Sequence, residues 1–322
     1  MARGRNLGPY ELLGVIRQGE MLTLYRAHSA KLDRPVILKL AHDRVRDDRD
    51  LVARFRRRAE ELLPLRHPHI VPLLDASFDP DGLYVVSEIP IGVPLERQIA
   101  GQGAQDVDDT LSIISQLADA LDYAHEQKVF HHDVRPANVY LKGKTAMLAD
   151  FFLMEAIGAT PTYIAPEQLD ETSGVTADRR SDGYALGVVA YEMLTGRPPF
   201  EGTTTDVAAA HLTQRPLSPR LHNPDLFPAL DSILLKALAK QPANRYQHAG
   251  ELAVALHEAV QTAHTRRMDD EGLFNKTARQ AGEVNYQTWP LNDETGVPAW
   301  IWVGLGVFLV VTIAMIVLLA TD

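Results

Sequence analysis

Moving a phosphoryl group from a nucleotide to a hydroxyl needs three things. A cation must sit on the phosphates, oxygen ligands must hold Mg²⁺, and a carboxylate must lie near the acceptor. Three segments of this 322-residue sequence carry such groups in order. Lys39 ends the apolar run Val36-Ile37-Leu38. Asp133, Arg135 and Asn138 fall within eight residues, His131 to Asn138. Asp150 opens Asp150-Phe151-Phe152 directly after the short apolar stretch Ala146–Ala149. The sequence has no cysteine, which excludes disulfides, thiolate metal sites and a cysteine nucleophile. The other histidines show no metal-ligand spacing.

The elements that must position these groups change character along the chain. Tyr10–Arg17, Met21–His28, Pro35–Ala41, Ile70–Phe78 and Leu83–Ile89 are short, rich in β-branched or aromatic residues and bounded by turn residues, so they read as strands. Asp79-Pro80-Asp81-Gly82 is a turn signal between the last two. Asp48–Leu65 reads as a helix stopped near Pro68. Five strands and one helix are therefore expected before residue 90. Beyond residue 95 the pattern is helical: Leu111, Ile114, Ala118 and Leu121 recur at helical spacing. Tyr184–Leu194 is apolar almost all round and should be a buried helix, followed by Ala229–Lys240 and His248–His264. A small sheet-rich lobe before a larger helical one is an α+β plan.

Charge and hydropathy divide the sequence differently. The formal charge is −10, which argues against nucleic acid as a partner. Residues 1–90 carry a net +2, with a basic run at Arg54, Arg56, Arg57 and Arg58, and the remainder carries −12. That run is either a solvated helix face or a docking surface for something acidic. Residues 265–298 are polar and read as an irregular linker. From Ala299 to Ala320, 22 residues contain no charge, which at about 1.5 Å per residue crosses a hydrocarbon core of about 30 Å. Trp300 and Trp302 lie at its start, where an interfacial belt is expected. The expectation is one membrane-spanning helix, with residues 321–322 beyond it and the large domain on the cytoplasmic side. Met1–Asn6 is short and basic with no apolar stretch behind it, unlike a signal peptide.

In order and spacing the three segments resemble the strand lysine, the catalytic loop and the metal-binding Asp-Phe-Gly motif of bacterial Hanks-type serine/threonine protein kinases. Thr160–Glu167 resembles the segment that receives a peptide, ending in Ala-Pro-Glu. Ser181–Gly187 and Thr195–Phe200 resemble the start and exit of the central helix, and Arg245 stands where the family's arginine pairs with Glu167. The resemblance implies a bilobal kinase fold: an extension at 1–9, a five-stranded N-lobe with one helix at 10–90, and a helical C-lobe at 91–264. It implies that Lys39 holds phosphates and Asp133 accepts the hydroxyl proton. It further implies that Arg135 meets the transferred phosphate, that Asn138 and Asp150 bind Mg²⁺, and that Asp182 and His131 are structural.

The departures from the family pattern gather at the nucleotide. The phosphate loop reads Arg17-Gln18-Gly19-Glu20-Met21-Leu22, keeping one glycine of three. Ile37 and Leu24 are larger than the residues usual against adenine. Counting from Glu88, Pro90 falls where a backbone N–H should reach the ring, and proline has none. Arg58 occupies the position of the helix glutamate that pairs with Lys39, where it is expected to repel it; Glu61, one turn on, is the possible substitute. Phe152 replaces the Asp-Phe-Gly glycine, and His132 the arginine that reads an activation-segment phosphate.

These changes favour a membrane-tethered pseudokinase that works as a scaffold or regulator through protein contacts, with no cofactor. The partner would be another kinase or its substrate, docking on Arg54–Arg58 or Thr160–Ala165. Lys39, Asp133, Asn138 and Asp150 keep open the alternative, a weakly active ATP- and Mg²⁺-dependent kinase of Ser and Thr hydroxyls. Thr203–Thr205 would be phosphate acceptors in that case, or else a helix cap.

Overall fold

The computed structural model describes residues 5–79, 82–151, 161–170 and 175–282. It begins with a six-stranded sheet of order β1-β2-β3-β4-β6-β5: β1 Arg5–Leu7, β2 Tyr10–Gln18, β3 Leu22–Ser29, β4 Arg34–Ala41, β5 Leu73–Asp79 and β6 Gly82–Ser87. Every neighbouring pair is antiparallel. The expected five strands thus become six. Residues 5–7 are too few to show a period-two pattern in sequence, yet they pair with β2 from Arg5↔Leu12 to Leu7↔Tyr10. The segment written as an extension at 1–9 is therefore partly sheet. Ile70 makes only an isolated bridge to Leu148, and β5 starts at Leu73, just after Pro72 with no N–H to offer a ladder.

Two helices join this sheet where one was expected: the short α1, Asp43–Arg46, and α2, Arg49–Leu62. Asp48 caps α2 by accepting from Asp50 N at 2.9 Å and Leu51 N at 3.1 Å. Phe55, Ala59 and Leu62, spaced by four and three, form its buried face. Arg54, Arg56 and Arg57 lie on the exposed side, and Arg56 stacks over the Phe78 ring.

The second lobe is helical: α3 Leu95–Gln102, α4 Val107–Glu126, α5 Pro166–Leu169, α6 Arg179–Thr195, α7 Thr204–Thr213, α8 Pro228–Ala237 and α9 Ala249–Gly282. A small sheet, β7 Val93–Pro94, β8 Val139–Lys142 and β9 Thr145–Leu148, carries the loops of the site. α6 is buried along almost its whole length, as its apolar circumference predicts. Leu117, Leu121 and Ala124 of α4 share one core with Leu186, Val189 and Met193 of α6. At Gly187 an added Cβ would stand 2.8 Å from Ala237 Cβ, so glycine lets α8 approach α6. Thr203 caps α7, accepting from Asp206 N at 3.2 Å and donating to Asp206 Oδ2 at 2.6 Å, which is the capping role its position suggested.

Residues 265–282 are helical, as the end of α9, where an irregular linker was expected. The expected membrane span at 299–320 and Phe152 lie outside the described residues. Among the described residues, no helix is long and apolar enough to cross a membrane.

Candidate functional site

Lys39 sits on β4 opposite Leu24 of β3 and Val85 of β6, which sets its side chain on the inner face. Its Nζ donates to Asp150 Oδ1 at 2.7 Å. Asp150 follows β9 with φ +65°, a backbone conformation that an L-residue enters at some strain. Burial pushes its carboxyl up, but the charges of Lys39 and then Arg17 outweigh this and hold it below the usual range. Two widely separated groups, 111 residues apart, are thus joined as one ion pair.

The loop from His131 is suspended from a buried carboxylate. Asp182, at the start of α6 and 1% exposed, accepts from His131 N at 2.8 Å and from His132 N at 2.7 Å. It also meets His125 Nε2 at 2.8 Å. Burial pushes Asp182 up, yet its bond to His125 prevails and lowers it to about 2. His125 shows the converse: burial lowers it, while Asp122 and Asp182 raise it to about 8. These bonds hold His132 at φ +65° and aim the next residue into the cleft.

That next residue is Asp133. Asn138 Nδ2 donates to its Oδ2 at 2.8 Å and to its carbonyl at 2.9 Å, and Arg135 Nε lies 3.1 Å from Oδ2. Burial raises Asp133 to about 6 although Arg135 and Asn138 oppose the shift. A carboxyl poised near neutrality is suited to taking a hydroxyl proton. His131 Nδ1 accepts from Asp133 N at 3.1 Å and Nε2 meets Ala149 O at 2.9 Å, which assigns the neutral tautomer with the proton on Nε2. Its ring packs edge-on to Phe151 at 4.5 Å, so His131 is the packing residue expected. Burial lowers it to about 4.

The adenine end is different. Between the lobes lies a cavity of about 100 Å³ lined by Leu24, Ile37, Lys39, Pro90, Asp150 and Phe151, among other mostly apolar side chains. Pro90, Ile37 and Leu24 are all at its wall, as their positions suggested. Ser87 lies beside them, and Glu88 pairs with Arg34 at 2.8 Å. In the loop above, Gly19 N donates to Leu22 O at 2.9 Å, closing a tight hairpin turn. That N–H is therefore engaged rather than offered to a phosphate. Leu22 is buried at the start of β3, while Arg17 is exposed at the end of β2 and its charge acts on both Asp133 and Asp150.

Arg58 departs from expectation. Instead of facing Lys39 as a like charge, its Nη2 donates to Phe130 O at 2.5 Å and to Phe151 O at 2.8 Å. A guanidinium carries five donors, so it satisfies carbonyls that an ammonium neighbour would leave to it. Glu61 does not replace the missing glutamate: its carboxylate is engaged by Arg57 Nε at 2.9 Å and lies 3.7 Å from Arg58.

On the peptide side, Arg245 makes two 2.7 Å bonds to the Glu167 carboxylate, and Ser181 Oγ adds a third at 2.7 Å. Tyr163 donates to Glu192 at 2.6 Å and thereby fixes the short turn Pro161–Tyr163. Sequence reasoning missed His125, Glu192 and the carbonyl contacts of Arg58. Nothing in their spacing distinguishes them from other helix residues, because their partners are contributed by distant segments.

The two ends of the site differ in what they fit. Asn138 spends its N–H groups on Asp133, which leaves its amide oxygen, with the Asp150 carboxylate, as a hard oxygen pair suited to Mg²⁺. Such an ion, held there, would supply positive charge against bound phosphates. An adenine ring fits less well, since Pro90 offers no N–H and Ile37 and Leu24 occupy the wall.

Comparison with known proteins agrees with this geometry. The family model described as the protein kinase domain matches residues 10–254. The serine/threonine-protein kinase PrkC of Bacillus subtilis is 32% identical over 265 residues, covering 78% of this chain and 40% of that protein. PknE of Mycobacterium bovis is 34% identical over 279 residues, covering 83% and 49%. The chain thus spans less than half the length of these relatives. Among solved structures, the Mycobacterium tuberculosis PknI kinase domain superposes with a TM-score of 0.65 at 30% identity, covering 80% of this chain and 99% of that one.

Proposed function

The chain belongs to the protein kinase family, of the bacterial serine/threonine type, and from that premise we propose that it is a membrane-tethered pseudokinase acting through protein contacts. The observation that carries this reading is the wall of the nucleotide cleft, where Pro90, Ile37 and Leu24 stand together. Each change weakens adenine binding by a modest amount, and they act on the same ring. The exposed arginines of α2 supply a surface for an acidic protein partner, another kinase or its substrate. The uncharged run 299–320 supplies the tether, with the kinase-like domain on the cytoplasmic side and the C-terminus across the bilayer.

A second reading is a weak Ser/Thr kinase using ATP and Mg²⁺. It is favoured by the Asp133–Asn138–Arg135 cluster and by the Lys39–Asp150 pair, which keep the phosphate end of the site in order. Calorimetric titration of the full chain with ATP and Mg²⁺ separates the two. Absence of binding at millimolar nucleotide supports the pseudokinase. Micromolar, metal-dependent binding, with phosphorylation lost in Asp133→Asn, overturns it. Membrane sedimentation of the full chain, lost on truncation at residue 298, tests the tether.

A further inference from the structure

We propose that Arg58 is a positioning residue: it fastens α2 to both functional loops, by donating to the carbonyls of Phe130 and Phe151, and so replaces the carboxylate-to-lysine link. Phe130 is the residue before the loop that presents Asp133, and Phe151 is the residue after Asp150. Phe130 and Phe151 lie 72 and 93 residues from Arg58 in sequence, and one guanidinium nitrogen joins them. Arg58 is 16% exposed, so water is a poor substitute partner for these carbonyls. Phe55, Ala59 and Leu62 bury the inner face of α2, which prevents the helix from turning Arg58 away without unpacking the core.

The chemistry of the position has a definite sign. Carbonyl oxygens want a donor, and a carboxylate has none. A glutamate at 58 would face two carbonyls and feel the negative charge of Asp182, whose field acts on Arg58. The substitution that the family pattern suggests as a repair is therefore a lesion here. Lys39 has its carboxylate already, in Asp150. This inference holds whether or not the domain turns over ATP, because it concerns the order of the loops.

The test is hydrogen exchange on the full chain, followed in peptides covering 130–133 and 148–151. The variants are Arg58→Lys, Arg58→Met and Arg58→Glu, with Glu60→Ala, an exposed residue of the same helix, as the control. Losing charge-assisted bonds should speed exchange in both loops roughly ten-fold or more in Arg58→Met and Arg58→Glu. Peptides of α6 should be unchanged, Glu60→Ala should match the parent, and Arg58→Lys, which keeps a donor, should recover part of the protection. Unchanged loops in both the Met and Glu variants overturn the proposal. So does equal acceleration in α6, which marks general destabilisation, and so does any gain of nucleotide affinity in Arg58→Glu. Should Arg58→Glu fail to fold, the comparison of Arg58→Lys with Arg58→Met decides.

Discussion

If the wall of the cleft is what weakens nucleotide binding, then rebuilding it should restore binding by a calculable amount. The perturbation is Pro90→Ala combined with Ile37→Ala. Pro90→Ala returns a backbone N–H to the hinge, where one bond to a ring nitrogen contributes about 1 kcal/mol. Ile37 lies opposite Ser87 across the β4–β6 ladder and lines the cavity. Relieving an overpacked contact there is worth about 1–3 kcal/mol. Together they predict a gain of about 2–4 kcal/mol, or roughly 30- to 700-fold in affinity at 1.4 kcal/mol per decade. Ile37 is only half-buried, so its truncation should cost the fold about 2 kcal/mol, the low end for Ile→Ala. Calorimetric titration with ATP and Mg²⁺ reads the affinity, and circular dichroism confirms that the variant is folded. The single variants should each recover part of the gain, and close to additively unless the ring shifts between them. A folded double variant that binds within about two-fold of the parent refutes the reasoning, since neither bulk nor hinge bonding would then be limiting.

Other outcomes follow from the charges. Asp133 has its folded pKa raised to about 6, so the native state binds more protons than the unfolded one between the carboxylate value and pH 6. Stability therefore falls as pH rises through that window, by at most about 3 kcal/mol. Asp133→Asn should abolish any phosphorylation while raising the melting temperature at pH 7.5, and the gain should vanish near pH 4. His125 gives the same slope in a higher window: raised to about 8, it stabilises the fold fully below about pH 6.5 and progressively less as pH climbs through 8, by about 2 kcal/mol. Urea midpoints at pH 6, 7 and 8.5 should show this loss, and His125→Asn should flatten it. Arg245→Met strands the buried Glu167 carboxylate and should cost about 3–5 kcal/mol in urea denaturation, whereas pairing it with Glu167→Gln should cost less.

The sequence revealed what depends on local pattern or on residue type at fixed spacing. The amphipathic face of α2, the buried circumference of α6, and Lys39, Asp133, Asn138 and Asp150 were all legible, because each is written in a short stretch. β1 was not, since three residues cannot display a period and its identity comes from pairing with β2. The extra length of α9 was not legible either: residues 265–282 are polar, and polarity alone does not distinguish a solvated helix from a linker. Arg58 is the instructive miss. Its charge is plain in the sequence, but a side chain with five donors is not a point charge facing Lys39. Only the fold shows that two carbonyls lie within its reach.

That correction alters the balance of the site. With Arg58 turned onto carbonyls, the phosphate end pairs its charges: Lys39 meets Asp150, and Arg135 and Asn138 meet Asp133. The adenine end contains the defects of shape and hinge bonding, Pro90, Ile37 and Leu24, while the phosphate loop keeps one glycine whose N–H is engaged by Leu22. These ends are physically separable, because phosphate and metal binding are electrostatic while adenine binding depends on shape and one hinge donor. A site divided in this way should respond to Mg²⁺ and a simple polyphosphate better than its response to adenosine would suggest. Stabilisation by Mg²⁺ with tripolyphosphate, alongside none by adenosine, would place the defect at the ring. The reverse ranking would mean that the Lys39–Asp150 and Arg135–Asp133 ion pairs leave no usable phosphate site, and would refute a merely weakened kinase.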